Sequence, residues 1–263
     1  MKLALIIGIN YTGKPCELRG CVQDANNLQK LLVDHFEFSE DGIVTLVDGP
    51  PESNPTRANI IRSLCDLVAR AQAVFDDPEA APLEHIWVSY AGHGTHIPDM
   101  DGDEPDGNDE VIVSWDLKLI RDDIIMHYLA LLQEFAPVTC VFDSCNSGTV
   151  GDLPYMYVEN LRRFYLNDKC RFSLGGANPV RLLSGCMDHQ QSTELMVNGS
   201  VQGAMSALLV EILADNDYAV KWHDLIVELF RRLRLKHIYS QNPRLSASGG
   251  DIALVGELFL GAQ

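Results

Sequence analysis

The sequence predicts an α/β fold with a mostly parallel central sheet and helices on both faces. Short apolar runs of a strand's length alternate along the chain with longer segments whose apolar residues recur at helical spacing. Such alternation is typical of parallel sheets, because each parallel connection needs a crossover that a helix supplies. With 263 residues, 46% of them hydrophobic, the chain is long enough to bury a substantial core within one domain.

The N-terminal half contains the clearest elements. Residues 3–9 form a continuous apolar run, which is typical of a strand buried on both faces of a parallel sheet. Apolar residues spaced three and four apart predict helices, and short apolar runs between turn residues predict strands. In chain order we predict strand 3–9, helix 22–34, strand 43–47, helix 57–74, strand 85–90, a short strand 111–113, helix 122–134 and strand 138–142.

The C-terminal half is less regular. Residues 149–179 show no clear period, and we predict a loop-rich stretch there. Beyond it the pattern predicts strand 180–184, helices 203–214 and 221–238, and a last strand 252–258. We therefore expect one domain made of a large catalytic part, 1–155, a linker loop, 156–179, and a small part, 180–263.

The net charge of -17 bears on the choice of partners. A surface this acidic repels phosphate backbones and anionic lipids, so we expect neither nucleic acid nor a membrane as a partner. Cationic peptides and divalent metal ions suit the charge better, although acidity that only keeps the protein soluble is the plainer alternative. No apolar run approaches the roughly 20 residues that span a bilayer. The run 3–9 is better explained as a buried strand than as a secretory signal.

Seven cysteines are spread along the chain without any Cys-x-x-Cys spacing. Their odd number and wide spacing argue against a disulfide framework and against a zinc cluster. A zinc site built on His93 and His96 has no further ligands at suitable spacing. We therefore expect the reducing cytoplasm as the compartment.

His93 and Cys145 are the candidate catalytic residues. Each lies just past a predicted core strand, in a turn rich in glycine or serine, and sites of parallel sheets form at the carboxyl ends of strands. An imidazole beside a thiol lowers the thiol pKa or carries its proton to the leaving amine. The N–H groups of Gly94 and Cys145 would then form an oxyanion hole. The alternatives are a buried cysteine that acts as a small hydrophobe and a histidine without function.

Four segments of this sequence resemble the signature segments of metacaspases. They read Gly20-Cys-Val-Gln-Asp-Ala25, Tyr90-Ala-Gly-His-Gly-Thr95, Asp143-Ser-Cys-Asn-Ser-Gly148 and Leu183-Ser-Gly-Cys-Met-Asp-His-Gln-Gln-Ser192, in the family's order. The resemblance covers nearly the whole chain. It implies a caspase-like fold and a cysteine peptidase of the type I arrangement, here without the N-terminal extension often found there.

Two positions depart from the family's pattern. Asn146 stands where a histidine usually follows the nucleophile, and Ala91 stands where a serine usually precedes Gly-His. Neither residue is the nucleophile or the base, so we expect activity with altered hydrogen bonding or pH dependence. The departures leave one alternative open, which is a catalytically silent interaction module that keeps the fold.

The resemblance also implies a substrate-binding pocket lined by Cys21, Asp24, Ala91 and Asp143. Two carboxylates in a partly desolvated pocket favour a guanidinium or an ammonium group through charge-assisted hydrogen bonds. We therefore expect cleavage of proteins and peptides after Arg or Lys, and not after Asp as in true caspases. Without the resemblance, Asp24 would be read as a solvated residue on a helix face and Asp143 as a turn cap.

Calcium is the cofactor that the resemblance implies. Asp109, Asp122, Asp123 and Asp152 match four carboxylates that bind Ca²⁺ in related metacaspases, and hard oxygen ligands from separate loops suit this ion. Binding would order the loops around the active site and so activate a zymogen. An EF-hand in the acidic residues 99–110 is excluded, because its sixth position lacks the glycine of the sharp turn. The adjacent pair of aspartates has a second possible role, as caps of a helix N-terminus.

Together these inferences predict a calcium-dependent cysteine endopeptidase that cleaves after Arg or Lys. Basic residues between the two parts predict self-cleavage within 162–171. We expect a monomer; if dimers form, the last strand is the edge that would pair. A separase-like or legumain-like peptidase is a further alternative, and the acidic pocket argues against it.

Overall fold

Strands and helices alternate through most of the chain, as the sequence predicts. The computed structural model describes residues 1–51, 53–98, 108–144, 153–158, 162–166, 176–185, 193–197, 199–239, 241–249 and 256–261. The strands are β1 (Lys2–Gly8), β2 (Ile43–Val47), β3 (His85–Ala91), β4 (Gly94–Pro98), β5 (Asn108–Val113), β6 (Leu119–Arg121), β7 (Val138–Asp143), β8 (Tyr155–Val158), β9 (Arg163–Leu166), β10 (Val180–Ser184), β11 (Glu194–Val197), β12 (Ser200–Gly203) and β13 (Arg244–Ala247). The helices are α1 (Cys21–Phe36), α2 (Arg57–Asp76), α3 (Asp122–Leu132), α4 (Ala204–Asp215) and α5 (Trp222–Leu235). Short 3-10 turns cover Glu40–Gly42 and Phe259–Gly261.

Eight of the strands form one central sheet, in the order β2-β1-β3-β7-β10-β13-β8-β9. The first five run parallel to their neighbours, and the last three add an antiparallel edge. Every residue of β3 and β7, in the middle of the parallel part, is buried. Because these strands are covered on both faces, they appear in the sequence as the continuous apolar runs from which they are predicted.

Helices cover both faces of the sheet, as predicted. α1, α4 and α5 pack on one face through an apolar cluster that includes Leu28, Leu208 and Leu229. α2 and α3 pack on the other face through a second cluster that includes Leu64 and Leu129. Burial of apolar surface, worth about 25 cal/mol per Å², holds these layers together. No helix in the described part of the chain combines the length and the apolar character that crossing a bilayer requires.

Two small antiparallel sheets lie outside the central one. β4, β5 and β6 form the first, directly after the turn that carries His93, and the β11–β12 hairpin precedes α4. The sequence pattern predicts only 111–113 of these strands, and β5 begins three residues earlier, at Asn108. Both small sheets contribute residues to the candidate site.

The stretch predicted as loop-rich contains a hairpin. β8 and β9 pair antiparallel and extend the central sheet beyond β13. The prediction of a loop-rich stretch over 149–179 is wrong for these two segments, because each strand has only four residues of mixed burial, too few for a period to show. The division of the chain into a large part, a linker over 156–179 and a small part stays a prediction. β13 is equally short and is not predicted. Of the predicted last strand, 252–258, only 256–258 is described, and there Leu258 forms an isolated bridge with Lys221.

Candidate active site

The strands that lead to His93 and Cys145 end side by side in the central sheet. β3 and β7 are parallel neighbours, and the last residue of β3, Ala91, pairs with the last residue of β7, Asp143. The Gly92 N–H lies 3.5 Å from the carbonyl oxygen of Asp143. His93 and Cys145 each follow two residues after this pair. Cys145 lies outside the described residues, so the distance between its sulfur and the imidazole stays a prediction.

The imidazole of His93 is held by a backbone carbonyl. Its Nε2 lies 2.7 Å from the carbonyl oxygen of Cys16, in the loop between β1 and α1. A carbonyl only accepts, so Nε2 carries the proton and donates it, and in the neutral ring Nδ1 keeps its lone pair. The ring of Tyr11 packs against the imidazole, with 4.8 Å between centroids. The arrangement therefore leaves one ring nitrogen available as a base.

Two buried tyrosines fix the backbone of the His93 turn. The Tyr11 hydroxyl accepts the His93 N–H at 3.0 Å and donates to the Val113 carbonyl at 2.6 Å. The Tyr90 hydroxyl donates to the His93 carbonyl at 2.7 Å. Burial raises the pKa of both phenols well above the usual value, so both remain neutral hydrogen-bonding groups. The turn is thus held at both its N–H and its carbonyl.

Gly94, the predicted oxyanion residue, begins β4 and is half-buried. It pairs with Ile112 of β5, which fixes the start of the small sheet next to His93. A glycine here leaves room for a peptide carbonyl to approach the backbone. The second predicted donor, the Cys145 N–H, lies outside the described residues, so the oxyanion hole stays a prediction.

Asp24 and Asp143 converge from different elements on one point beside Gly203. Asp24 lies in the first turn of α1 with 1% of its surface exposed, and Asp143 ends β7 with 4% exposed. The Gly203 N–H donates to both oxygens of Asp24, at 3.0 and 2.9 Å. Ser206 donates its N–H and its hydroxyl to Asp143 Oδ2, both at 2.9 Å. The reading of Asp24 as a solvated helix residue is therefore wrong.

Gly203 occupies the space between these two carboxyl groups. A Cβ on this residue would lie closer than 3.0 Å to an oxygen of Asp24 and to an oxygen of Asp143. The backbone at Gly203 is extended, with φ -63° and ψ 137°, so the restriction is one of space and not of backbone conformation. Both carboxyl groups therefore approach one point closely enough to interact strongly with each other.

Burial and mutual repulsion control the ionisation of this pair. Burial, followed by the charge of Asp143, raises the pKa of Asp24 to about 8, with a smaller contribution from Glu194. The N–H of Gly203 opposes this shift. Burial, followed by the charges of Asp24 and Asp143, also raises the pKa of the Cys21 thiol, which stays neutral. The region has a negative potential that favours an incoming cation.

The other two residues of the predicted pocket adjoin the aspartates. Cys21 is buried and begins α1, one turn before Asp24. Ala91 is buried and pairs with Asp143 across β3 and β7. The structure therefore brings together the four residues that the sequence assigns to substrate binding.

A second group of buried carboxylates lies where β5 meets α3. Asp109 and Asp122 have 2% and 3% of their surface exposed, and Glu110, the last residue of the excluded EF-hand segment, has 3%. Arg121 Nε lies 3.2 Å from Asp109 Oδ2. The pairing of β5 with β6, which places Val111 opposite Arg121, brings Arg121 beside Asp109. We refer to Asp109, Glu110, Asp122 and Arg121 as the β5–α3 cluster.

The β5–α3 cluster has the donor chemistry that calcium prefers, namely carboxylate oxygens. Within the described residues, however, no three Asp, Glu, His or Cys side chains are arranged to hold a metal ion. Asp123 lies in the first turn of α3, and Asp152, the fourth predicted ligand, lies outside the described residues. The calcium site therefore stays a prediction.

A known peptidase family matches more than half of the chain. The model of the metacaspase peptidase C14 domain matches residues 2–154. The chain belongs to the metacaspases. The matched range of this cysteine protease family contains both predicted catalytic residues, His93 and Cys145, and both aspartates of the converging pair.

Curated metacaspases are similar over nearly the whole chain. Metacaspase-1 of Cryptococcus neoformans var. neoformans serotype D is 32% identical over 298 residues, covering 94% of this chain and 62% of the relative. Metacaspase-1 of Pyricularia oryzae is 32% identical over 293 residues, covering 93% of this chain and 71% of the relative. This metacaspase thus spans less than two thirds of the length of the Cryptococcus protein.

Solved structures share the fold of this metacaspase. Protein GSU0716 from Geobacter sulfurreducens superposes with a TM-score of 0.65 at 22% identity, covering 97% of this chain and 96% of that chain. Caspase-1 from Spodoptera frugiperda superposes with a TM-score of 0.55 at 12% identity, covering 94% and 85%. The fold is therefore caspase-like, as the signature segments imply.

Several residues that shape the site of this metacaspase have no signal in the sequence. Glu194, Gly203 and Ser206 all belong to the C-terminal half and meet the aspartates only in the folded chain. Cys16 contributes a backbone carbonyl, which any residue type supplies. Tyr11 stands outside every signature segment, and its position shortly after a buried strand is the only sequence signal for it.

Proposed function

We propose that this metacaspase is a calcium-dependent cysteine endopeptidase that cleaves proteins and peptides after Arg or Lys. The observation that carries the proposal is the convergence of two buried carboxyl groups, Asp24 and Asp143, on one point beside Gly203. Asp143 ends the strand that leads into Cys145. A cation-binding position next to the nucleophile is what cleavage after a basic residue requires.

Cys145 is the nucleophile and His93 the acid/base catalyst in this proposal. The thiol passes its proton to His93 Nδ1, and the sulfur bonds to the carbonyl carbon of the P1 residue, the residue before the scissile bond. The C–N bond then breaks as His93 returns that proton to the leaving amine. Water attacks the thioester while His93 takes its proton, and the proton passes to the sulfur as the acid product leaves. The hydrogen bond from Nε2 to the Cys16 carbonyl keeps Nδ1 available for both transfers.

Negative charge develops on the carbonyl oxygen in both steps, and hydrogen-bond donors must meet it. The N–H groups of Gly94 and Cys145 have this role in the proposal. One such donor is typically worth about 10²- to 10³-fold in kcat. The support is the position of Gly94, which directly follows His93 and begins β4.

A basic P1 side chain suits the Asp24–Asp143 pair. A guanidinium offers N–H donors in a plane and an ammonium offers three, and both bring positive charge to a buried negative site. That charge offsets the repulsion between the two carboxyl groups. An acidic P1 side chain would add negative charge to the same site, so cleavage after Asp or Glu is disfavoured.

Asp109, Asp122 and Asp123 hold calcium in this proposal, together with Asp152. A calcium ion supplies positive charge that several carboxylates from separate loops can share. These residues would thereby link the segment after Cys145 to β5 and α3 and stabilise the active arrangement. The support is the burial of Asp109 and Asp122, since oxygen donors removed from water favour a cation.

Self-cleavage between the two parts belongs to the same proposal. Arg162 and Arg163 are exposed, and Arg163 begins β9 at the edge of the sheet. Cleavage after either residue requires β9 to detach from β8, because its backbone groups are already paired. Lys169 and Arg171 lie outside the described residues. Mass spectrometry of Ca²⁺-treated protein locates the cut, and an intact chain in fully active enzyme would exclude a need for processing.

We also propose that the protein is a cytoplasmic monomer. The net charge of -17 opposes association between copies of the chain. A reducing compartment keeps a catalytic thiol from oxidation. Light scattering during size-exclusion chromatography measures the molecular mass, and a mass of two chains would contradict the monomer.

Peptides that differ only at P1 test the proposed function. Fluorogenic peptides with Arg, Lys, Asn or Asp at P1 are offered to the wild type and to Cys145→Ala, with Ca²⁺ and with a chelator. We expect hydrolysis of the Arg and Lys peptides only, dependent on Ca²⁺ and absent in Cys145→Ala, which cannot form the thioester. Hydrolysis after Asn would indicate a legumain-like specificity. An absence of turnover with every peptide would indicate a silent interaction module.

A further inference from the structure

The β11–β12 hairpin brings an additional carboxylate to the Asp24–Asp143 pair. Glu194 begins β11 and pairs with Gly203, the last residue of β12. Gly203 is the residue whose N–H holds Asp24 and whose position lies between the two aspartates. The same end of the hairpin therefore presents both the N–H that binds Asp24 and the side chain of Glu194.

Glu194 holds the segment that leads into α1. Its Oε1 accepts the N–H groups of Arg19 and Gly20, both at 2.8 Å. In the opposite direction, Asp24 of α1 accepts the N–H of Gly203 in the hairpin. The hairpin therefore accepts N–H groups from the start of α1 through Glu194, and α1 accepts an N–H of the hairpin through Asp24. This exchange joins the N-terminal and C-terminal halves at the proposed P1 position.

We propose that Glu194 is a positioning and specificity residue for basic P1 side chains. The inference rests on the proposed function. The carboxylate keeps the hairpin at a fixed distance from α1, so that Asp24 and Asp143 face the same point. Its charge adds to the negative potential that attracts the P1 cation. Glu194 acts through Asp24 in both respects, without touching the substrate.

The proton shared by this acidic region resides on Asp24. Asp143 accepts two hydrogen bonds from Ser206, whereas Asp24 shares one N–H between its two oxygens. Hydrogen bonds to a carboxylate favour its ionised form, and the single N–H shared by Asp24 offsets only part of the burial that raises its pKa. Two buried carboxyl groups this close do not both ionise easily, and Asp24 therefore holds a proton at neutral pH.

Only acidic groups are found among the described charged side chains that act on Asp24 or on the neighbouring thiol of Cys21. They are Asp143 on β7, Glu194 on β11 and Asp48 after β2. A P1 cation displaces the proton of Asp24 to solvent, and its affinity rises as the pH rises through about 8. Removing the charge of Glu194 lowers the pKa of Asp24 and moves this rise to lower pH.

Glu194→Gln separates the charge from the hydrogen bonds, because the amide oxygen still accepts both N–H groups. The control is Glu134→Gln, an equal change of charge at an exposed position beyond the end of α3. KM and kcat for an Arg-P1 peptide are measured across neutral and alkaline pH. We expect Glu194→Gln to raise KM about threefold at alkaline pH. Glu194→Ala, which also loses both hydrogen bonds, should raise KM about tenfold or more.

The pH dependence of KM decides the test. A lower midpoint of the KM profile in Glu194→Gln, but not in Glu134→Gln, supports the inference. The inference is overturned, and the proposed function stays intact, if the wild type cleaves after Arg and Glu194→Gln keeps the same KM and midpoint. A loss in Glu194→Gln that is confined to kcat has the same meaning. Failure of the wild type to cleave any basic-P1 peptide overturns both. If circular dichroism shows that Glu194→Ala does not fold, Glu194→Gln carries the test alone.

Discussion

Two groups of buried carboxylates in this protein differ in what faces them. Asp24 and Asp143 accept hydrogen bonds from neutral N–H and O–H groups of the C-terminal half. In the β5–α3 cluster, by contrast, Asp109 lies 3.2 Å from the guanidinium of Arg121. The hydrogen bonds described for the first group come from neutral donors, and the second group includes a cation from its own chain.

This difference indicates that buried carboxylates have different roles in the two groups. At the first group, burial followed by the charge of Asp143 raises the pKa of Asp24 to about 8, and an incoming cation is favoured. If the β5–α3 cluster binds Ca²⁺ as proposed, the ion would share Asp109 with Arg121, and the two positive charges would repel each other. We therefore expect substrate recognition at the first group to be governed by pH, and metal affinity at the second to be governed by competition.

The largest effect is expected from Gly203→Ala, which disrupts the first group by size alone. The new Cβ would lie closer than 3.0 Å to both carboxyl groups, and overpacking of this kind costs about 1–3 kcal/mol. Carboxylates pushed apart no longer share a cation, so we expect kcat/KM for an Arg-P1 peptide to fall about 100-fold or more. Gly249→Ala, where an added Cβ meets nothing within 4 Å, is the matched control. Equal kinetics for the two variants would contradict the role of the pair.

The next effect is the pH dependence of the free energy of unfolding, which reports the pKa of Asp24 without any substrate. Its pKa is about 8 in the folded protein and roughly 3.9 in an unfolded chain. Below about pH 4 the stabilising contribution of the bound proton is fully present, and it is lost as the pH rises to about 8, because the unfolded state releases its proton first. The slope is at most about 1.4 kcal/mol per pH unit.

Denaturant unfolding at several pH values measures this slope. Asp24→Asn has no proton to release, so its free energy of unfolding should fall less steeply than that of the wild type over the same range. Parallel curves for the two proteins would mean that Asp24 ionises normally and that the first group is not electrostatically coupled.

Asp122→Asn tests whether the β5–α3 cluster binds Ca²⁺ independently of P1 recognition. Loss of one carboxylate ligand should weaken Ca²⁺ binding about tenfold or more, measured by calorimetry. The preference for Arg over Asn at P1 should stay unchanged, since the first group is intact. Asp66→Asn, at an exposed position on α2, is the control of equal charge. The same Ca²⁺ affinity in both variants would remove the cluster from the calcium site.

The smallest effect is expected from Ala91→Ser. Ala91 pairs with Asp143 and is buried, so a hydroxyl at this position adds one donor near the carboxyl group of Asp143. A hydrogen bond contributes about 0.5–1.5 kcal/mol net, which corresponds to a rise of about threefold in kcat/KM for an Arg-P1 peptide. A loss of activity would mean that the hydroxyl competes with the P1 cation instead of supporting the carboxylate.

The parallel part of the fold is predictable because burial on both faces leaves continuous apolar runs in the sequence. Strand 43–47 and strand 180–184 are predicted with the bounds that the structure has. β8, β9 and β13 are not, since four residues of mixed burial have no recognisable period. Their place in the sheet depends on pairing with strands far along the chain.

The candidate site is predictable in its N-terminal half and not in its C-terminal half. His93 follows directly from a glycine-flanked turn after a buried strand. The helical pattern of α1 alone places Asp24 in solvent, and only the family resemblance places it in a pocket. Glu194 and Gly203 meet the start of α1 across 174 to 179 positions of sequence. No local pattern records such a contact.

The most direct test of the central claim is a double-mutant cycle between Asp24 and the P1 charge. Peptides with arginine or with citrulline, its neutral isostere, at P1 are compared for the wild type and Asp24→Asn. We predict that the wild type prefers arginine by about 100-fold or more in kcat/KM, and that Asp24→Asn loses most of this preference. Hydrolysis of the citrulline peptide should change little. The same preference for arginine in both proteins would contradict the account.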